Sequence, residues 1–176
     1  PLDVVALTAP SRNPFFANFI AEFQKQAWEK NTLLLYVEVP ERATLEDCLY
    51  RLYTRNIRNV VVWQDDQTVD REKLLRLRCI GMNMVFFDAD DALPYADAVF
   101  LDNVDAVKSL LKSVEFPGEN YLYVGWDNRS ISNVRKREAA FTENCPDGGV
   151  VRIPWRRDRK IEEESVKRVK KEIQKM

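Results

Sequence analysis

The feature that most constrains this chain is an alternation: short, nearly continuous apolar runs take turns with stretches whose apolar residues recur at helical spacing. DVVALTA is followed by PFFANFIAEFQKQAWEK, where Phe16, Phe19, Ile20, Phe23 and Ala27 fall near one helix face. TLLLYVEV, NVVVW, NMVFFDADD and the short DAVFLD repeat the strand signal, with helices in TLEDCLYRLYTRN and DREKLLRLRCIG. In the first of these helices the stripe is Leu45, Cys48, Leu49, Leu52 and Tyr53, and Thr44 three residues before Asp47 marks its start. Strands that are apolar throughout are covered on both faces. The pattern therefore predicts an α/β fold of three layers, a parallel sheet between two layers of helices, joined by right-handed crossovers.

Beyond Asp102 the rhythm resumes with a helix in VDAVKSLLKSV, a strand in NYLYVGW, a helix in SNVRKREAAFTEN, a strand in GVVRIPW and a helix in IEEESVKRVKKEIQKM. Two strands make a thin core, and parallel strands lack the hairpin that would let them close locally. The expectation is a complete first α/β lobe over residues 1–102 and a partial second lobe over 103–176. Ile161, Val166, Val169 and Ile173 on the last helix can face that partial core or a partner.

Composition narrows the chemistry. With 176 residues, 45% hydrophobic and 31% charged, the chain suits one sizeable domain or two small lobes. It has no histidine, which excludes Ser-His-Asp and Cys-His catalysis and histidine-bearing zinc sites within the chain. Cys48, Cys79 and Cys145 lack metal-ligand spacing and read as free thiols in a reducing compartment. No apolar run approaches the roughly 18 to 20 residues of a membrane span, and the opening residues lack a secretory pattern, so a cytoplasmic location is expected. Residues 1–100 hold 11 Lys/Arg against 15 Asp/Glu, while the remainder is mildly basic, with a local cluster RRDRK at 156–160. A near-neutral total gives no general drive toward nucleic acid.

In open parallel sheets, ligands collect outside the carboxyl ends of the strands. Asn13, Phe15, Phe16, Asp65, Asp88 and Asp102 fall at or just after such ends. Phe15 and Phe16 cannot share one face of a helix beginning at Pro14, so at least one points toward the loop mouth, the other being core or a cap on the sheet edge. Aromatic surface beside carboxylates and amides matches a small polyhydroxylated ligand, the rings covering C–H faces and the polar groups meeting hydroxyls. Asp88 reads equally as a ligand contact, a helix cap or a solvated loop residue, and Asp102 can cap the helix that follows it. Arg135 and Arg137 do not share a helix face, so one is surface while the other reaches inward, and a planar arginine fork can bridge neighbouring hydroxyls. A Mg²⁺ phosphoacceptor site at Asp88, Asp90 and Asp91 lacks the acidic pair after the first strand, and no glycine-rich phosphate loop is present. No enzymatic activity and no cofactor are expected.

LTAPSRNPFFANFIAEFQKQAWEKNTLLLYVE resembles the opening of the ligand-binding domain shared by LacI-type transcriptional regulators and periplasmic sugar-binding proteins. The likeness continues in order through YRLYTRNIRNVVVW, GMNMVFFDAD, AVFLDNVDAVKSLL and YLYVGWDNRSISNVRKREAAF. It implies a type I periplasmic-binding-protein-like fold, two lobes around a sugar-sized cleft. The implied ligand contacts are Asn13, Phe15, Phe16, Asp88 and Arg137, with Asp102 or Asp105 supplying another polar contact.

The sequence also departs from the family's pattern. Ala89 stands where sugar binders often carry Arg, REAAF has Ala140 in place of Gly, and the later strands of the second lobe are missing. Nothing matches the regulators' helix-turn-helix, so DNA contact would belong to a module outside this sequence. The resemblance implies the effector-sensing, dimerising domain of a sugar-responsive regulator, expected as a homodimer. An exported sugar-binding transport receptor and a ligand-silent interaction domain are the alternatives.

Overall fold

Seven strands form two parallel sheets in the computed structural model, which describes residues 3–10, 14–64, 66–114, 120–156 and 160–176, and leaves out the side chains of Pro14 and Phe15. In chain order the elements are β1 (Asp3–Thr8), α1 (Pro14–Glu29), β2 (Thr32–Tyr36), α2 (Leu45–Thr54), β3 (Asn59–Val62), α3 (Arg71–Cys79), β4 (Asn83–Phe87), a 3-10 turn (Asp90–Ala92) and β5 (Asp97–Val99). There follow α4 (Asn103–Lys112), β6 (Leu122–Asp127), α5 (Ser132–Asn144), β7 (Gly149–Pro154) and α6 (Glu163–Ile173). The chain divides into two units, Pro1–Phe100 and Leu101–Met176.

The first unit holds a five-stranded sheet in the order β2-β1-β3-β4-β5, every pair parallel. Its register sets Ala6, Val60 and Met84 side by side, with Val62 beside Phe86. Because side chains alternate across a strand, these residues share one face. They form a buried core with Leu45, Cys48, Leu49 and Leu52 of α2 and Leu74 and Leu77 of α3. The helical stripe read from Leu45 to Leu52 is thus the buried face of α2, and Thr44 caps it, its Oγ1 accepting from the Asp47 N–H at 3.1 Å. The opposite face meets α1 through Phe16 and Phe19.

Asn31, Asn56 and Gly81, each in the left-handed backbone region, turn the chain after α1, α2 and α3. These residue types adopt positive φ at least cost, so each crossover ends cleanly where its strand must begin.

Among the described residues the second unit has two strands, β6 and β7, paired in parallel from Leu122 with Gly149 to Asp127 with Pro154. The Tyr123 ring meets Phe141 of α5 at 5.4 Å, and α6 packs against β7. Its buried apolar residues, among those described, are Val134, Ala140, Phe141, Val151 and Ile153. Val124 stays exposed on β6, as do Ile161, Val166 and Ile173 on and before α6, so the apolar stripe of the last helix is largely uncovered.

Candidate ligand site

In the first unit the order β2-β1-β3 reverses the winding direction beside β1, and the loops diverge outside the carboxyl ends of β1 and β3. Neighbouring carbonyls tie these ends together. The Trp63 N–H donates to the Thr8 carbonyl at 2.8 Å, the Val37 N–H to that of Leu7 at 2.9 Å, and the Tyr36 hydroxyl to that of Ala9 at 2.5 Å.

Onto this frame four rings converge. Phe16 meets Trp63 edge-on with centroids 4.5 Å apart, Phe19 meets Trp63 at 5.0 Å and Phe87 at 4.8 Å, and Trp63 meets Phe87 at 4.6 Å. Edge-to-face and tilted pairs at these spacings attract beyond simple burial. Phe16, 4% exposed, lies at the bottom, while Phe19, Trp63 and Phe87 are half-buried. Next to Trp63, the Gln64 Nε2 donates to the Gln67 carbonyl at 2.7 Å, whereas its buried Oε1 accepts no hydrogen bond among the described residues.

Asp88, directly after β4, has φ 59°, and its N–H donates to the Val99 carbonyl at 2.8 Å. A non-glycine residue in this region is uncommon, aspartate among the least penalised, and such positions concentrate at functional sites. Ala89 is buried and Tyr95, also buried, packs on Phe86 at 5.5 Å. Among the described residues no three metal-ligating side chains converge. Asn13, Asp65 and the side chain of Phe15 lie outside the described residues.

In the second unit Asp102 caps α4, its Oδ1 accepting from the N–H groups of Val104 and Asp105 at 3.0 Å each. Asp105 is exposed in the first turn, where a negative charge suits the helix dipole. On α5 the two arginines part as their spacing implies. Arg135 is exposed and donates to the Arg129 carbonyl at 3.0 Å, whereas half-buried Arg137 donates from Nε to the Asn103 Oδ1 at 2.6 Å.

Buried Glu138 takes Arg152 of β7 in a fork, at 3.0 and 2.9 Å, with Arg129 at 3.6 Å. The hydrogen bond and charge of Arg152, aided by Arg129, hold its carboxyl below the usual range against the opposing effect of burial. Burial pushes the Tyr123 hydroxyl up, an effect Arg137 reduces and Glu138 increases.

The sequence reading missed Trp63 as the hub of the ring cluster, as well as Gln64, Glu138 and the pairing of Asn103 with Arg137. Trp63 had a visible signal, since it follows β3 as Asp88 follows β4. Asn103 and Glu138 had none, because each looks like an ordinary polar helix residue until its partner 34 or 14 positions away is known.

No family model and no curated protein matches the sequence. Solved structures do match. A LacI transcriptional regulator from Lactobacillus brevis superposes with a TM-score of 0.77 at 13% identity, over 99% of this chain and 66% of that one. A LacI transcriptional regulator from a Rhodococcus species gives 0.67 at 13%, over 86% and 57%. A galactofuranose binding protein gives 0.67 at 15%, over 87% and 55%. This chain spans about six-tenths of the length of the first structures it matches. Among the described residues no helix is long and apolar enough to cross a membrane. The chain therefore has the type I periplasmic-binding-protein-like fold of the LacI-type effector domains, with only part of their second lobe.

Proposed function

We propose that this chain is the effector-sensing part of a LacI-type transcriptional regulator, binding a small sugar-like molecule. The observation that carries the reading is the carboxyl edge of the first sheet. There a four-ring apolar surface around Trp63 lies among the same strand-end loops as Asp88, whose backbone is held in an uncommon conformation. Rings suit the C–H faces of a sugar, and carboxylate, amide and guanidinium groups suit its hydroxyls. Asn13, Phe15, Phe16, Asp88 and Arg137 are the contacts assigned, with Asp102 or Asp105 as a further one. The protein would work in the cytoplasm as a homodimer, reaching DNA through a separate module. Closure on the effector would shift the balance between two arrangements of the paired subunits.

Calorimetry against a panel of pentoses, hexoses and nucleosides tests this. Binding heat is expected from at least one, weakened at least about tenfold in Asp88→Ala, as for a lost hydrogen bond to a charged group. A silent panel defeats the reading. A ligand-silent association domain is the second reading, favoured by the two-stranded sheet of the second unit and by exposed Val124 on its β6. Gel filtration showing a tight dimer together with a silent panel would support it.

A further inference from the structure

Arg137 is a half-buried guanidinium whose partner carries no charge. Its Nε donates to the Asn103 Oδ1 at 2.6 Å, and it makes no other hydrogen bond or ion pair among the described residues. The adjacent carboxylate is already engaged, since Glu138 is taken by Arg152 and Arg129. Withdrawing a guanidinium from water is costly unless its donors are matched, and among the described residues only one of its five N–H groups has an acceptor.

Asn103 is the more deeply buried of the two, 6% exposed, and both ends of its amide are used. Its Nδ2 donates to the Leu101 carbonyl at 3.1 Å while its Oδ1 holds Arg137. It is the first residue of α4, directly behind the Asp102 cap, so the backbone that carries it is fixed as well. An amide tied to the main chain at one end and to Nε at the other orients the guanidinium without neutralising it. An aspartate at the same place would do both.

We propose that Asn103 is a positioning residue, pinning Arg137 at Nε so that its two Nη groups are presented as a planar fork to a pair of ligand oxygens, vicinal hydroxyls or a carboxylate. This rests on the reading of Arg137 as a ligand contact given above.

The test needs no ligand. In ¹⁵N-labelled protein the Arg137 Nε–H resonance is assigned by its loss in Arg137→Lys. It is expected to exchange with water at least about tenfold more slowly than that of exposed Arg76, as for a hydrogen-bonded, part-buried group. Asn103→Leu should remove that protection; unchanged exchange in this variant overturns the proposal. Asn103→Asp keeps an acceptor, so protection should persist with a shifted resonance. If Asn103→Leu fails to fold, an unmoved resonance in Asn103→Asp overturns the proposal by itself. Phenylglyoxal, which attacks guanidinium groups, should modify Arg137 in the unliganded protein, and resistance there while Arg76 reacts would show that no fork is presented. A sugar panel without heat would defeat the functional reading above and leave the outcome at Asn103 to stand separately.

Discussion

At the level of single residues, two carboxylates of the second unit do different work, and substitution separates them. Asp102 caps α4 and is, as the alternative to Asp105, proposed above for a further ligand contact. Asp102→Ser keeps a capping oxygen and removes the charge, so urea unfolding should change by less than about 0.5 kcal/mol, whereas Asp102→Ala should cost about 1 kcal/mol. If Asp102 also meets the effector, the Ser variant alone loses binding without losing stability. Glu138 joins α5 to β7 through Arg152. Its carboxyl is held below the ordinary value of 4.5, so the unfolded chain takes up the proton first as pH falls. The contribution of Glu138 is therefore complete at neutral pH, declines once pH passes below about 4.5, and is exhausted beneath the depressed folded value. Glu138→Gln should cost about 1 to 3 kcal/mol at pH 7 and flatten the acid limb of a pH–stability curve, leaving Arg152 and Arg129 without their counter-charge.

At the level of elements, how much the sequence disclosed depends on whether the determining contact is local. The stripe from Leu45 to Leu52, the Thr44 cap and the opposed directions of Arg135 and Arg137 follow from spacing along one helix, and all are present. The ring cluster was only half legible. Phe16 and Phe19 lie on one helix stripe, but Trp63 and Phe87 join them only because β3 and β4 pair in one register and end at one edge. The 3-10 turn of Asp90–Ala92 leads into Tyr95, 1% exposed against Phe86, an anchor that no periodicity announces. Burial, reinforced by Asp91 and to a lesser degree by Glu46 against the opposing charge of Arg71, pushes the Tyr95 hydroxyl from 10.0 up to about 12. The unfolded chain releases this proton before the folded one, so stability should fall by on the order of 2 kcal/mol as pH rises from 10 to 12. Urea unfolding across that range should show a shallower decline in Tyr95→Phe; identical slopes would mean that Tyr95 is not the group responsible.

At the level of the whole chain, the two units differ in how much apolar surface each can hide. The continuous buried core belongs to the first unit, drawing on β1, β3, β4, α2 and α3, with further buried residues around the 3-10 turn. The second relies on a handful of buried apolar side chains and a two-stranded sheet whose β6 leaves Val124 in water. Local opening free energy follows buried contacts, so the units should not share one value. Amide hydrogen exchange is therefore expected to show β1, β3 and β4 protected at least about tenfold more than β6 and β7, with the β6 amides that face away from β7 exchanging fastest. The solved structures that share the fold extend well past this chain's span, and a sheet completed by further strands would bury Val124 and raise protection throughout the second unit. Equal protection in both sheets would show that the buried apolar contacts within each unit do not set its opening free energy.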